Sequence, residues 1–317
     1  MQVLGIKRSR FMHFLVVGPG AMGCLFAAGL KKGGYEVTLL DYLPERARQI
    51  DNQGIVVRGI TGEYTVKVHA VADKISIQPD VVLICVKSYT TKQAAEKIKP
   101  WLSPEAFVVT LQNGVGNLEI LEQIFGKKKV FGGITAQGST LLGPGKIRHA
   151  GQGETIIGPQ EHPDSPLERI VSAFNTAGFK TRSTKNVVDL IWGKLIINVG
   201  INSLSALTRL KNGRLAEFDG TRRVMENAVK EAVAVAHAKN IRLPFPDPLA
   251  RVMEVCRDTA ENIASMLQDV LKQRITEVDF INGAIVREGI ALGIPTPVNH
   301  TLTCLVKTIQ ETYDERI

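Results

Sequence analysis

Phe14-Leu15-Val16-Val17-Gly18-Pro19-Gly20-Ala21-Met22-Gly23 is the stretch that decides how this chain folds. Four apolar residues running straight into glycine read as a buried strand that ends in a tight turn. Ala21 to Lys32 then reads as a helix rich in small residues, closed by Gly33-Gly34. The glycines fit the pattern GxGxxG, which is weak alone and gains meaning from the strand before it and the helix after it. The first glycine allows the turn, the second lets the backbone approach a pyrophosphate, and the third lets helix and strand pack closely. The helix N-terminus then faces the anion. Gly18, Pro19, Gly20, Ala21, Met22 and Gly23 are therefore the expected dinucleotide-binding loop. A glycine-rich turn that holds nothing is the alternative.

Outward from this loop, short β-branched runs alternate with helical patterns, as in a parallel sheet with crossover helices. Strands are expected at Glu36–Leu40, Val81–Val86, Phe107–Leu111, Val130–Thr135 and Ile156–Gly158, and a strand pair or meander over Ile55–Ala72. Helices are expected at Pro44–Asn52, Thr91–Lys99 and Leu118–Phe125, and a turn at Gly143-Pro144-Gly145. From Val187 onward the periodicity is almost wholly helical, with long segments at Val187–Leu207, Thr221–Lys239 and Ala260–Leu292. The fold class is thus α/β: an N-terminal Rossmann-type doubly wound sheet over residues 1–184, followed by an all-α domain over 185–317. Residues 1–11 read as a non-essential extension, because a second methionine, Met12, directly precedes the first good strand. With no linker between the two domains, a cleft between them is the default site.

Topology marks the candidates in the first domain, since ligands of an open α/β sheet bind outside the carboxyl ends of its strands. Asp41 ends the second strand, 23 residues after Gly18. An acid there can hold the adenosine ribose hydroxyls, which favours NAD. Arg46 and Arg48 follow closely and could instead meet a ribose phosphate, and Asp41 could simply cap a helix. Lys87 and Asn113-Gly114 follow two further strands and are expected at the mouth of the same crevice.

In the second domain, Lys194, Asn198 and Asn202 fall at i, i+4 and i+8 of a strongly apolar helix. They lie within a stripe about 80° wide and ~12 Å long. Unpaired buried amides and ammonium groups cost several kcal/mol, so these three need partners. A bound polar ligand or buried interhelical hydrogen bonds would each supply them. Glu277 and Asp279 sit among Ile275, Val278, Phe280 and Ile281, and a carboxylate in so apolar a helix invites a cationic partner, for which Lys194 is a candidate.

Composition excludes several other classes. The net charge of +8 comes from Lys and Arg scattered among acids, with few aromatic residues, so nucleic-acid binding is not expected. The four cysteines show no CxxC or His-paired spacing, which argues against a metal or disulfide framework and for a cytoplasmic protein. No apolar run approaches the ~20 residues needed to span a bilayer, so no membrane role is expected. The long C-terminal helices leave room for a homodimer.

Taken together, these motifs resemble the ketopantoate reductase family of the 6-phosphogluconate-dehydrogenase-like superfamily, over about Phe14 to Lys307. The resemblance rests on Gly18–Gly23, Lys87-Ser88, Gln112-Asn113-Gly114-Val115-Gly116, Gly132-Gly133-Ile134-Thr135 and Trp192-Gly193-Lys194 with its two asparagines. It continues with Ser265-Met266-Leu267-Gln268-Asp269 and Thr276-Glu277 through Asn282-Gly283. It implies a reductase of a small 2-keto acid, with Lys194 as general acid and Glu277 organising lysine and cofactor. It implies substrate contacts at Asn113, Asn198, Asn202, Asn212 and Ser265, and cofactor contacts at Lys87, Asn113 and Glu277. Family resemblance favours NADP, whereas Asp41 favours NAD. A paralogous reductase of another 2-keto acid and a non-catalytic NAD(P)-binding sensor are the competing functions.

Overall fold

The computed structural model describes residues 12–159 and 165–315; residues 1–11, read above as an extension, lie outside them. The first half contains β1 (His13–Val17), α1 (Ala21–Lys32), β2 (Glu36–Leu40), α2 (Pro44–Gln53), β3 (Ile55–Gly59), β4 (Tyr64–Val66), β5 (His69–Val71), β6 (Val81–Ile84) and α3 (Thr91–Ile98). It continues with β7 (Phe107–Thr110), α4 (Asn117–Phe125), β8 (Val130–Thr135), β9 (Gly138–Gly143), β10 (Lys146–Gly151), β11 (Thr155–Gly158), α5 (Ser165–Thr176) and β12 (Thr181–Ser183).

The main sheet runs in the order β12-β11-β8-β7-β6-β1-β2-β5. The six strands from β8 to β5 are parallel, while β11 pairs antiparallel with β8 and parallel with β12. Strand order reverses between β1 and β6, and this reversal opens a crevice at their carboxyl ends. β1 reads as an unbroken apolar run because helices cover both faces of the sheet. Phe14 and Val16 pack in one core with α1 and α5, and Leu15 and Val17 in the other with α3 and α4.

The expected meander over Ile55–Ala72 is divided between two sheets. β3 and β4 pair antiparallel in a separate sheet of order β4-β3-β10-β9, whereas β5 forms the edge of the main sheet. The turn expected at 143–145 joins β9 to β10, a hairpin whose strands the sequence reading did not mark.

The second half is helical: α6 (Val188–Thr208), α7 (Asn212–Leu215), α8 (Asp219–Ala238), α9 (Pro248–Asp258), α10 (Ser265–Leu271), α11 (Asn282–Leu292) and α12 (Pro297–Glu311). Two expectations need correction here. Ala260–Leu292 is not one long segment: the chain turns after α10, with Gln273 at φ 51°, and passes through a 3-10 turn at Val278–Phe280 before α11. Apolar residues continue at helical spacing through the break, but Ile275 is exposed while Val278 and Ile281 are buried. The second correction concerns α6, which is long and apolar enough to cross a membrane. Some 67% of its apolar window is buried inside the protein. A helix apolar all round is what the centre of a helical core requires, and α6 packs on α8, α9, α10 and α12.

Candidate active site

The glycine loop is built for an anion. Gly18 has φ 104°, a conformation that only glycine adopts without strain. A Cβ on Gly23 would fall 1.9 Å from the Gly18 carbonyl oxygen, so the third glycine is what allows α1 to pack against the turn. Gly20 caps α1 without a side-chain hydrogen bond, and the first turn carries no acid. The leading N–H groups of the helix, including those of Ala21 and Met22, are thus left for a ligand. This fits a dinucleotide pyrophosphate.

Asp41 stands at the end of β2 as expected, yet its environment differs from the expectation. Its Oδ1 accepts hydrogen bonds from the N–H of Tyr42 (2.7 Å), that of Leu43 (3.1 Å) and Arg46 Nη2 (2.6 Å), while Oδ2 accepts from Arg46 Nε at 2.5 Å. The carboxylate is fully buried and the Arg46 side chain is 23% exposed. Asp41 therefore fixes the β2–α2 turn and aims a guanidinium outward, instead of offering a free acceptor to a ribose. Arg46, weighed above as a competitor for the ribose, is tied to Asp41, lies over the Tyr42 ring and stays partly exposed.

At the mouth of the crevice, the loop after β6 meets the helical domain. Lys87 Nζ lies 2.6 Å from Asp269 Oδ2 of α10 and 3.5 Å from Glu277 Oε2. Burial works against the Lys87 ammonium, but Glu277 and Asp269 outweigh it and raise its pKa. Burial pushes the Asp269 carboxyl up, against the pull of Lys87. Glu277 Oε1 accepts from the Ser88 N–H (2.9 Å) and the Ser88 hydroxyl (2.8 Å). The loop after β7 is docked as well: the Val115 N–H donates to the Phe280 carbonyl at 3.0 Å, and a Cβ on Gly114 would fall 2.4 Å from that same oxygen. The backbone carbonyl of Asn113 is held by Asn117 Nδ2 at 3.0 Å.

Lys194 projects from α6 to the carboxyl end of β8, where Nζ donates to the Thr135 carbonyl at 2.8 Å. Burial lowers its pKa to about 8, and Glu277 opposes the shift. One turn along, Asn198 Nδ2 is buried without a hydrogen-bond partner, and Asn202 is buried a turn further. A buried amide hydrogen left unpaired has donor capacity that a polar ligand could use. Asn212 is also buried, with Nδ2 on Thr259 Oγ1 at 2.9 Å and Oδ1 unpartnered. Ser265 is exposed at the start of α10, which packs on α6.

Lys87, Asn113, Lys194 and Glu277 are thus brought to one place between the two halves. Asn198 and Asn202 extend from it along α6. Asn212 and Ser265 are joined to this group by no hydrogen bond among the described residues. Ser88, Asp269 and Thr135 belong to the group too, although the sequence offered them only as letters within motifs. Their contacts with Lys194, Lys87 and Glu277 span 59 to 189 positions of chain, a separation no local pattern reveals.

A glycine-loop Rossmann sheet facing a helical domain, with a buried lysine of lowered pKa in the cleft, defines an NAD(P)H-dependent oxidoreductase. Residues 14–162 match the model of the family described as ketopantoate reductase PanE/ApbA, and residues 186–310 match that of its C-terminal region. A 2-dehydropantoate 2-reductase of Halobacterium salinarum is 36% identical over 302 residues, covering 94% of this chain and 99% of its own. A PanE/ApbA family ketopantoate reductase from Ralstonia eutropha superposes with a TM-score of 0.88 at 35% identity, over 96% of this chain and 100% of its own. A D-mandelate dehydrogenase solved with NADH and anilino(oxo)acetate gives a TM-score of 0.90 at 26% identity, also over 96% and 100%. The chain belongs to the ketopantoate reductase family.

Proposed function

We propose that this chain is a 2-dehydropantoate 2-reductase, which reduces the ketone of ketopantoate to the hydroxyl of pantoate in the cleft between residues 1–184 and 185–317. The observation that carries this reading is Lys194: an ammonium whose pKa is lowered to about 8, held across the cleft on the Thr135 carbonyl, with the unpaired amide of Asn198 one turn away.

The reduced nicotinamide supplies the hydride when bound. Negative charge then grows on the former carbonyl oxygen, and Lys194 neutralises it by giving up a proton. General acid catalysis of this kind contributes ~10²–10⁴-fold, most when the donor pKa lies near working pH. Asn198 and Asn202 hold the hydroxyl and carboxylate of the keto acid, with Asn113, Asn212 and Ser265 as further contacts, so that the ketone stays in line with the hydride. The Glu277 carboxylate works against burial on the Lys194 pKa, which favours the protonated, donating form of the lysine.

For the cofactor we infer NADPH. With both Asp41 oxygens engaged by Arg46 and two backbone N–H groups, a ribose hydroxyl could reach that carboxylate only by displacing a bidentate pair. A 2′-phosphate could instead take the open side of the guanidinium. The second reading, a reductase of another 2-keto acid, rests on the superposition on the D-mandelate dehydrogenase at 26% identity and is not favoured beside the 36%-identical 2-dehydropantoate 2-reductase. A panel of 2-keto acids separates the two: ketopantoate should show the highest kcat/KM, and a higher value for an aromatic keto acid would favour the second.

A further inference from the structure

We propose that Ser88 is a positioning residue for this reaction, holding the Glu277 carboxylate between Lys87 and Lys194. The inference rests on the function proposed above.

Ser88 is 1% exposed and touches both loops that meet the helical domain. Its hydroxyl lies 2.8 Å from Glu277 Oε1 and 3.0 Å from the Asn113 carbonyl. One hydroxyl proton serves one acceptor well. Asn117 Nδ2 already donates to the Asn113 carbonyl and to Ser88 Oγ, each at 3.0 Å. The carboxylate is the shorter and charge-assisted choice, so the Ser88 proton goes to Glu277. Asn117 is oriented in turn by the Thr91 hydroxyl on its Oδ1 (2.8 Å), and Thr91 by Gln112 Nε2 (2.9 Å). A buried chain from Gln112 to Ser88 therefore ends on a single carboxylate oxygen of the other domain, and that oxygen also takes the Ser88 N–H at 2.9 Å.

Among the described residues, Glu277 has no comparable anchor on its other oxygen, where Lys87 stands 3.5 Å away. Without the Ser88 hydroxyl, the carboxylate loses its shortest hydrogen bond and is freed to lean on Lys194. The other ionisable groups around it, Lys87, Asp269, Tyr89 and, beside Asp269, Arg274, stay in place. A less solvated, less restrained carboxylate strengthens the hold of the Lys194 ammonium on its proton, so the alkaline limb of the kcat profile moves upward.

The test is a double-mutant cycle on the full chain with ketopantoate and NADPH. Ser88→Ala should lower kcat about tenfold, the cost of one lost hydrogen bond to a charged group, and shift the alkaline limb upward. In a Glu277→Gln background the same change should have almost no further effect on kcat or on the profile, and Ser88→Thr should restore both. Equal losses in the two backgrounds with an unmoved pH profile would show a merely structural serine and overturn the proposal. Should alanine fail to fold, Ser88→Thr and Ser88→Val, equal in size but differing in the hydroxyl, provide the same comparison. Wild-type chain inactive on ketopantoate rejects the proposed function itself, and Ser88's role with it; an active wild type with an unaffected Ser88→Ala rejects the role of Ser88 alone.

Discussion

The Lys87 ammonium lies 2.6 Å from the Asp269 carboxylate, an ion pair that joins the loop after β6 to α10 across the domain cleft. The Lys87 side chain is 38% exposed and that of Asp269 only 10%, so the pair sits at the rim with its acid buried. Its place gives it leverage, because Lys87 also stands beside Glu277. Asp269→Ala should leave Lys87 to Glu277 alone and raise KM for the cofactor by roughly threefold to tenfold, the range of a partly screened pair, with a smaller change in kcat. Steady-state kinetics at varied cofactor checks this, and an unchanged KM would detach the pair from cofactor binding.

Lys194→Ala removes the proposed proton donor. Turnover should fall by ~10²–10⁴-fold while cofactor binding, followed by fluorescence titration, stays close to wild type. With a pKa lowered to about 8 by burial, the wild-type lysine donates below that pH and fails above it. The kcat profile should therefore be flat on the acid side of pH 8 and decline on the alkaline side. A profile still flat well above pH 8 would point to another donor.

Arg46→Ala should cost NADPH about 10–100-fold in kcat/KM, as expected for a lost charge-assisted contact to phosphate, and cost NADH much less. Asp41→Ala frees Arg46 from its anchor and leaves the turn N–H groups of Tyr42 and Leu43 without their acceptor. It should lower thermal stability measurably with either cofactor bound. Equal effects of Arg46→Ala on the two cofactors would place the guanidinium away from the 2′ position.

Gly114→Ala tests the docking of the two halves. Gly114 has φ 85°, and an added Cβ would meet the Phe280 carbonyl oxygen at 2.4 Å, beside the Val115–Phe280 hydrogen bond. Overpacking there should destabilise the chain by about 1–3 kcal/mol and depress kcat/KM, read from thermal unfolding and kinetics together. Wild-type Tm and activity would mean that this contact gives way freely.

Much of this organisation could be read from the chain before any coordinates. α1 and β2 fall on the expected residues, because a buried parallel strand and a small-residue helix leave unmistakable patterns beside Gly18–Gly23. The stripe Lys194, Asn198, Asn202 was visible because polar residues stand out in an apolar helix. What stayed hidden depended on tertiary partners. The break inside Ala260–Leu292 escaped notice because Val278 and Ile281 keep a helical rhythm while the chain turns to bring Glu277 against Ser88. The pairing of Asp41 with Arg46 was not legible either, because the two meet only through a folded turn. The β9–β10 hairpin was missed for a related reason: both strands end in glycine and carry few apolar residues, and it is β10 alone that pairs with β3.

The most direct test of the central claim is the loss of nicotinamide absorbance on adding ketopantoate to the purified protein, with NADPH and NADH in parallel. The account predicts rapid, ketopantoate-dependent oxidation, faster with NADPH, and its near-abolition in Lys194→Ala. Cofactor binding without oxidation of either nucleotide, or turnover unaffected by Lys194→Ala, would contradict it.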